Sequence, residues 1–184
     1  MRIIAGQYRS RQIVAPDGAG TRPTSDRLRE TLFNVLALRI EGTTFLDLFA
    51  GSGAVGIEAL SRGARQVYAI DSDKRAARAI AKNVSALGIG DEFVFLQADI
   101  ASGLRTLAAQ KLQFDVAVLD PPYREHGAYE QSFRLMGDLG LLPPGAILIA
   151  EHEKHFDPGD ELAAFTRYRV LKQGDAVLSF YTAR

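Results

Sequence analysis

The sequence holds no cysteine among its 184 residues, which excludes disulfides, thiolate nucleophiles and cysteine-ligated metals. Histidine is scarce too: three residues, two of them at 152 and 155, are the whole supply of imidazole ligands. Neither charge is in excess, with 22 basic and 22 acidic side chains, so the overall balance points to no polyanionic partner. No apolar run approaches the roughly 20 residues that a membrane-spanning helix needs. Ile3-Ile4-Ala5-Gly6, behind Met1-Arg2, is too short for the core of a signal peptide. These absences leave a globular chain expected in the cytoplasm.

What is present fits one domain: a length sufficient to bury roughly two-thirds of the unfolded surface, and an ordinary hydrophobic share of 47%. Charge is unevenly placed. Residues 1–29 carry Arg2, Arg9, Arg11, Arg22, Arg27 and Arg29 against Asp17 and Asp26. Such a segment forms either a basic face for phosphates or a solvated, arginine-containing surface.

Residues 1–14 alternate loosely and read as two short strands, ended by Pro16-Asp17-Gly18-Ala19-Gly20. Thr24 or Ser25 can cap a helix with apolar positions Leu28, Leu32, Phe33, Leu36 and Ile40, stopped by Gly42. From Thr43 strands and helices alternate. Strands are expected over 44–49, 66–70, 93–97, 114–119 and 146–150, with helices over 55–60, 74–87, 104–109 and 129–139. Residues 165–171 and 176–181 read as a final hairpin. The alternation predicts a mostly parallel sheet covered on both faces, with the final pair as an antiparallel edge.

Gly51-Ser52-Gly53-Ala54-Val55-Gly56 fits G-x-G-x-x-G directly after the first core strand, a pattern that lets backbone approach a ligand. Asp71 ends the next strand, placed to accept from ribose hydroxyls. These two features alone also fit a nicotinamide or flavin dinucleotide. Asp47 separates the options, because a carboxylate near the turn can orient it or bind a cation but repels a pyrophosphate. Asp99 ends the third strand, placed to accept from an adenine amino group, and Asp120 ends the fourth. Each alone is equally well a polar strand exit. As an ordered set they fit a ligand with an amino group, a ribose, an adenine and a sulfonium.

Asp120-Pro121-Pro122-Tyr123 makes a stiff loop, since each proline fixes φ and removes a donor. The Asp120 carboxylate and the Pro121 carbonyl are then two neighbouring acceptors for an amino group, and Tyr123 offers a ring that stacks on a base. His126 and Tyr129 follow as residues of either the substrate mouth or the surface. Glu151, His152, Glu153 and His155, just past a strand, read as a solvated loop rather than a metal site.

Asp120-Pro121-Pro122-Tyr123 resembles the [DNS]-P-P-[YFW] motif of class I amino-methyltransferases. Arg22-Pro23-Thr24-x-Asp26-Arg27-x-Arg29-Glu30-x-Leu32-Phe33-Asn34, the block from Phe49 to Ala64, and the tetrapeptide together resemble the bacterial RsmD family. That resemblance implies a Rossmann-like α/β fold: a seven-stranded, mostly parallel sheet with helices on both faces and an N-terminal β-hairpin plus helix extension. It divides one domain into an extension, 1–42, and a catalytic core, 43–184. It implies S-adenosylmethionine as methyl donor and 16S ribosomal RNA as substrate, methylated at N2 of one guanine, with a small-subunit particle as partner and a monomeric enzyme. Catalytic roles fall to Asp120, Pro121 and Tyr123. Cofactor contacts fall to Thr24, Asp47, Phe49, Gly51, Ser52, Gly53, Asp71, Ser72, Ala98, Asp99 and Asp120; the alternative for Thr24, together with Asn34, is to secure the N-terminal helix beside the cofactor. Arg2, Arg9, Arg11 and Arg22 are the expected RNA contacts. Competing readings are a methyltransferase for adenine N6 or a glutamine amide, a dehydrogenase, and a noncatalytic RNA-binding assembly protein.

Overall fold

Short apolar segments between glycine- and proline-containing turns pair into a sheet in the computed structural model, which describes residues 1–18, 25–122 and 125–183. The strands are β1 (Thr44–Leu48), β2 (Gln66–Asp71), β3 (Phe93–Gln97), β4 (Val116–Leu119), β5 (Ile147–Glu153), β6 (Glu161–Leu162), β7 (Phe165–Gln173) and β8 (Ala176–Ala183). The described residues form one eight-stranded sheet in the order β3-β2-β1-β4-β5-β8-β7-β6. The first five are parallel, and β8 joins β5 antiparallel. Both faces are covered, which is why β1 and β4 are buried along their whole length and apolar except for Thr44 and Asp47.

Side-chain alternation sorts the core into two layers. Phe45, Val67, Val116, Val118 and Ile149 face α1 (Asp26–Leu36), α2 (Ala54–Ser61) and α3 (Lys74–Leu87). Leu46, Leu48, Ile70, Ala117 and Leu148 face α4 (Ile100–Ala109) and α5 (Gly127–Asp138). Strand order reverses direction between β1 and β4, and a crevice opens beyond their carboxyl ends at such a switch point.

Helix ends follow local chemistry. The Ser25 side chain accepts from the Leu28 N–H at the start of α1. Asp73 caps α3, and Gly88 closes it in the left-handed region. The structure departs from the sequence reading in several places, and α4 begins at Ile100 rather than near Leu104. The sheet has eight strands rather than seven, because the two-residue β6 is too short to leave a pattern. α1 ends at Leu36 rather than near Gly42, although Ile40 is still buried. β5 continues through Glu153, since β8 pairs with it as far as Ala176. The expected N-terminal hairpin is a fold-back with one isolated bridge, Arg2 to Gln12, held by the Ser10 N–H to Ile3 and the Ile13 N–H to Met1, and not a pair of strands.

That fold-back is fastened to α2 by buried polar groups. Glu58, fully buried, accepts from the Ile4 N–H at 2.8 Å and the Ala5 N–H at 3.1 Å. It also accepts from Arg62 Nε at 2.7 Å, and the fully buried Arg29 lies 3.8 Å away. Gly6 runs so close to α2 that a Cβ there would sit 1.7 Å from the Ser61 carbonyl oxygen. Glu58→Gln removes the buried charge facing Arg29 and is expected to destabilise the protein by about 3–5 kcal/mol. Chemical denaturation measures this, and hydrogen exchange at Ile4 and Ala5 should quicken together. A loss under about 1 kcal/mol with unchanged exchange would show that the pair does not hold the segment.

Candidate functional site

The chain leaves β1 through a turn in the left-handed region: φ is +61° at Phe49, +55° at Gly51 and +74° at Gly53, the residue that opens α2. Glycine adopts this freely, whereas Phe49 is strained there, and its side chain walls the cleft described below. At Gly56 the requirement is space: a Cβ would lie 2.8 Å from Val67 and 3.0 Å from the Phe93 ring, so only glycine lets α2 settle on β2 and β3.

Three side chains hold this turn. Asp47 Oδ2 accepts from the Gly56 N–H at 2.9 Å. Asp71 Oδ2 accepts from the Gly51 N–H at 2.8 Å, while its Oδ1 accepts from the Asp73 N–H at 2.8 Å. Asn83 on α3 donates to the Ser52 carbonyl at 2.9 Å and exchanges two further bonds with the Val14 backbone, accepting at 2.8 Å and donating at 3.0 Å. Asp47 therefore orients the turn, one of the two roles its position left open. Burial pushes its carboxyl up to about 7, and the charges of Asp120 and Asp71 push the same way against the Gly56 hydrogen bond.

A cleft of about 280 Å³ opens at the carboxyl ends of β1, β2 and β3. Among the expected residues it is lined by Phe49, Ser72, Ala98 and Asp99. Asp99 is exposed and caps α4, accepting from the Ser102 N–H at 2.9 Å, and that bond holds its carboxyl below the usual range. Asp120 is half-buried at the end of β4, its N–H directed at the Leu48 carbonyl at 3.4 Å, and Pro121 is buried. The structure thus gathers four carboxylates, 47, 71, 99 and 120, around strand ends that suit a cationic ligand. Thr24, Tyr123 and Arg22 lie outside the described residues.

The opposite wall comes from residues that the sequence reading did not single out: Glu125, Ala128, Gln131 and Ser132. Their spacing of three or four is a helical face, legible once α5 is placed. Of the two mouth candidates, Tyr129 is core: 2% exposed, with its hydroxyl donating to the Glu151 carbonyl at 2.7 Å. His126 is half-exposed and stacks on Phe156 at 4.0 Å. Glu151 and His152 are buried on β5 rather than solvated, and His152 Nε2 pairs with Ser179 Oγ at 2.9 Å. Burial lowers the His152 pKa. Arg2, Arg9 and Arg11 are exposed; Arg11 donates to the Ala86 carbonyl at 3.0 Å, at the end of α3. Asn34 is exposed on α1.

The raised Asp47 pKa fixes the sign of a pH effect. Between the ordinary carboxylate range and about 7 the folded state binds the extra proton, so stability falls as pH rises through this window. Asp47→Asn keeps an acceptor for Gly56 and abolishes the ionisation. Its melting temperature relative to wild type should therefore be higher at pH 8 than at pH 5, by roughly 3 °C or more. Scanning calorimetry at both values checks this, and an equal difference at the two would refute it.

The family model described as Conserved hypothetical protein 95 matches residues 1–182. Ribosomal RNA small subunit methyltransferase D of Escherichia coli K12 is 41% identical over 154 residues, covering 83% of this chain and 75% of that protein. Among solved structures, yhhF of Escherichia coli superposes with a TM-score of 0.83 at 36% identity, over 100% of this chain and 98% of that one. The hypothetical protein TTHA0928 of Thermus thermophilus gives 0.81 at 32% identity, over 98% of both chains. SMU.776, solved in complex with SAH, shares the fold at a TM-score of 0.67 and 16% identity, over 84% of this chain and 49% of that one. A match over almost the whole chain, together with relatives at this identity and coverage, places the protein: it belongs to the Conserved hypothetical protein 95 family, the RsmD family of methyltransferases.

Proposed function

We propose that this protein transfers a methyl group from S-adenosylmethionine to the exocyclic N2 of one guanine in 16S ribosomal RNA, carried in a small-subunit particle. It acts as a cytoplasmic monomer of one domain, with 1–42 as extension and 43–184 as core. The observation that carries the reading is the placement of Asp120 and Pro121. They leave β4 beside β1, where Leu119 pairs with Leu48, so two acceptors for an amino group stand next to the carboxylate-lined cleft. The small-subunit RNA substrate is taken over from the name of the Escherichia coli relative, and the guanine N2 target from the resemblance of the N-terminal block.

The cleft suits the cofactor by its chemistry. Asp71 keeps acceptor capacity beyond its two backbone bonds for ribose hydroxyls. Asp99 offers the same to an adenine amino group, and Phe49 gives an apolar wall. S-adenosylmethionine supplies a methyl group on a sulfonium, already activated for transfer.

The protein's task is alignment and exclusion of water. A guanine amino nitrogen is a weak nucleophile because its lone pair is delocalised into the ring. Hydrogen bonds to the Asp120 carboxylate and the Pro121 carbonyl hold both N–H groups, turn the lone pair toward the methyl carbon, and stabilise the positive charge that develops on nitrogen. The N–C bond forms as the S–C bond breaks, and the surplus proton leaves to water afterwards, so Asp120 need not act first as a base. The target base has to be unpaired or flipped to arrive, and Tyr123 stacks on it. Arg2, Arg9, Arg11 and Arg22 supply phosphate contacts, and Thr24, Ser52 and Ser72 contribute cofactor contacts.

The test is tritium transfer from labelled S-adenosylmethionine to 16S RNA presented naked, as small-subunit particles or in mature ribosomes, with mapping of the modified nucleoside. N2-methylguanosine is expected, and absence of labelled guanine in all three would overturn the proposal. Asp120→Ala should lower kcat about 100-fold with little change in cofactor Kd, whereas Asp71→Ala should weaken cofactor binding about tenfold. The reverse pattern would mean that their roles are exchanged.

A further inference from the structure

In a chain with no net charge, α3 carries Lys74, Arg75, Arg78 and Lys82 and no acidic residue. All four are exposed. Arg75 is neutralised by Asp73, at 2.6 Å. None of the ion pairs among the described residues involves Lys74, Arg78 or Lys82. These three stand four residues apart, so they form a single row along one helix face with a spacing of about 6 Å. Arg11 extends the row by one more step, because its guanidinium reaches the carbonyl of Ala86, the next position in the same series. The row therefore holds four cations over about 18 Å.

The place of this row in the fold gives it direction. α3 begins just after Ser72, a wall of the cleft, so the cations lead away from the cleft mouth. The fold-back runs along α3 in the opposite sense, with Arg11 at Ala86, Val14 at Asn83 and Gly18 closest to Arg75. Apolar contacts cannot explain the cations, since the buried face of α3 is Ala76, Ala79, Ile80, Asn83 and Leu87. We propose that Lys74, Arg78, Lys82 and Arg11 form a track for the phosphate backbone of the RNA next to the target nucleotide. This inference rests on the RNA reading above, and it moves much of the backbone contact from the N-terminal segment to a regular helix. Such contacts fix register and orientation without reading sequence.

The test measures binding and transfer separately, on the full chain. Lys74→Gln, Arg78→Gln and Lys82→Gln are combined, with Lys111→Gln, Arg134→Gln and Lys172→Gln, all exposed elsewhere, as the control. Filter binding of 16S RNA across a salt series should show the row variant about tenfold or more weaker at low salt. Its slope of log affinity against log salt should be shallower by about two, since each phosphate contact contributes roughly 0.7–0.9. The control should keep the wild-type slope, and cofactor Kd and melting temperature should be unchanged in both. In transfer assays KM for RNA should rise with kcat retained at saturating RNA. Equal slopes for wild type, control and row variant, or no RNA binding by wild type, would overturn the track. Salt-dependent binding lost in the row variant without guanine methylation by wild type would sustain the track and overturn the proposed reaction.

Discussion

The site depends on one constraint: the passage from β1 into α2 over Gly51 to Gly56, left-handed at Gly51 and Gly53 and helical from Ala54, held by three side chains from three elements. Asp47 from β1, Asp71 from β2 and Asn83 from α3 each bond a different backbone group of the turn. Without them the Gly56 N–H and the Ser52 carbonyl would be buried without a partner, and the turn would have no reason to keep one shape. With them, the start of α2 is fixed against β2, the Phe49 ring is held at the cleft wall despite its strained backbone, and the strand-end carboxylates keep a common geometry. Asp47 is held between burial, which disfavours its charge, and the Gly56 bond, which favours it.

The protein separates its charges by layer. Carboxylates collect where parallel strands end, because backbone N–H groups and helix starts there need acceptors: Asp71 and Asp73 serve the entry to α3, and Asp99 the entry to α4. Cations collect on the outer surfaces, on α3 and on the segment that packs beside it. A neutral total is thus compatible with an acidic pocket for a cationic cofactor and a basic surface for a polyanion, each a few residues from the other. Net charge describes solubility, and distribution describes partners.

Elements with a strong period were legible in the sequence. α3 occupies 74–87 as expected because Asp73 and Gly88 are unambiguous end signals, and β3 occupies 93–97 because Phe93 to Leu96 is a short apolar run between the Gly90-Asp91-Glu92 turn and Asp99. The strand-end aspartates could be placed because parallel strands expose their ends in sequence order. What could not be read depends on partners distant in the chain. His152 and Glu151 look like loop residues after a short strand, but β8 pairs with both and buries them. Tyr129 looks like a mouth residue after a proline turn, but its ring faces the core and its hydroxyl finds Glu151 across the sheet. Asn83 sits on an otherwise apolar helix face. Only the three-dimensional course of residues 14 and 52 explains why an amide stands there.

The fold-back follows from the same reasoning. It bonds α2 through Glu58 and Ser61, and α3 through Asn83 and Ala86. Those are the two helices that begin at the glycine turn and at the end of β2. Val14, Asn83 and Ser52 make the link continuous, from the arginine-bearing segment to the turn itself, through hydrogen bonds of 2.8–3.0 Å. Displacing the segment would leave two polar groups of a 2% exposed asparagine without their Val14 partners, which is costly enough to make segment and turn move together or not at all. The surface proposed to meet RNA and the loop proposed to meet the cofactor are accordingly one mechanical unit.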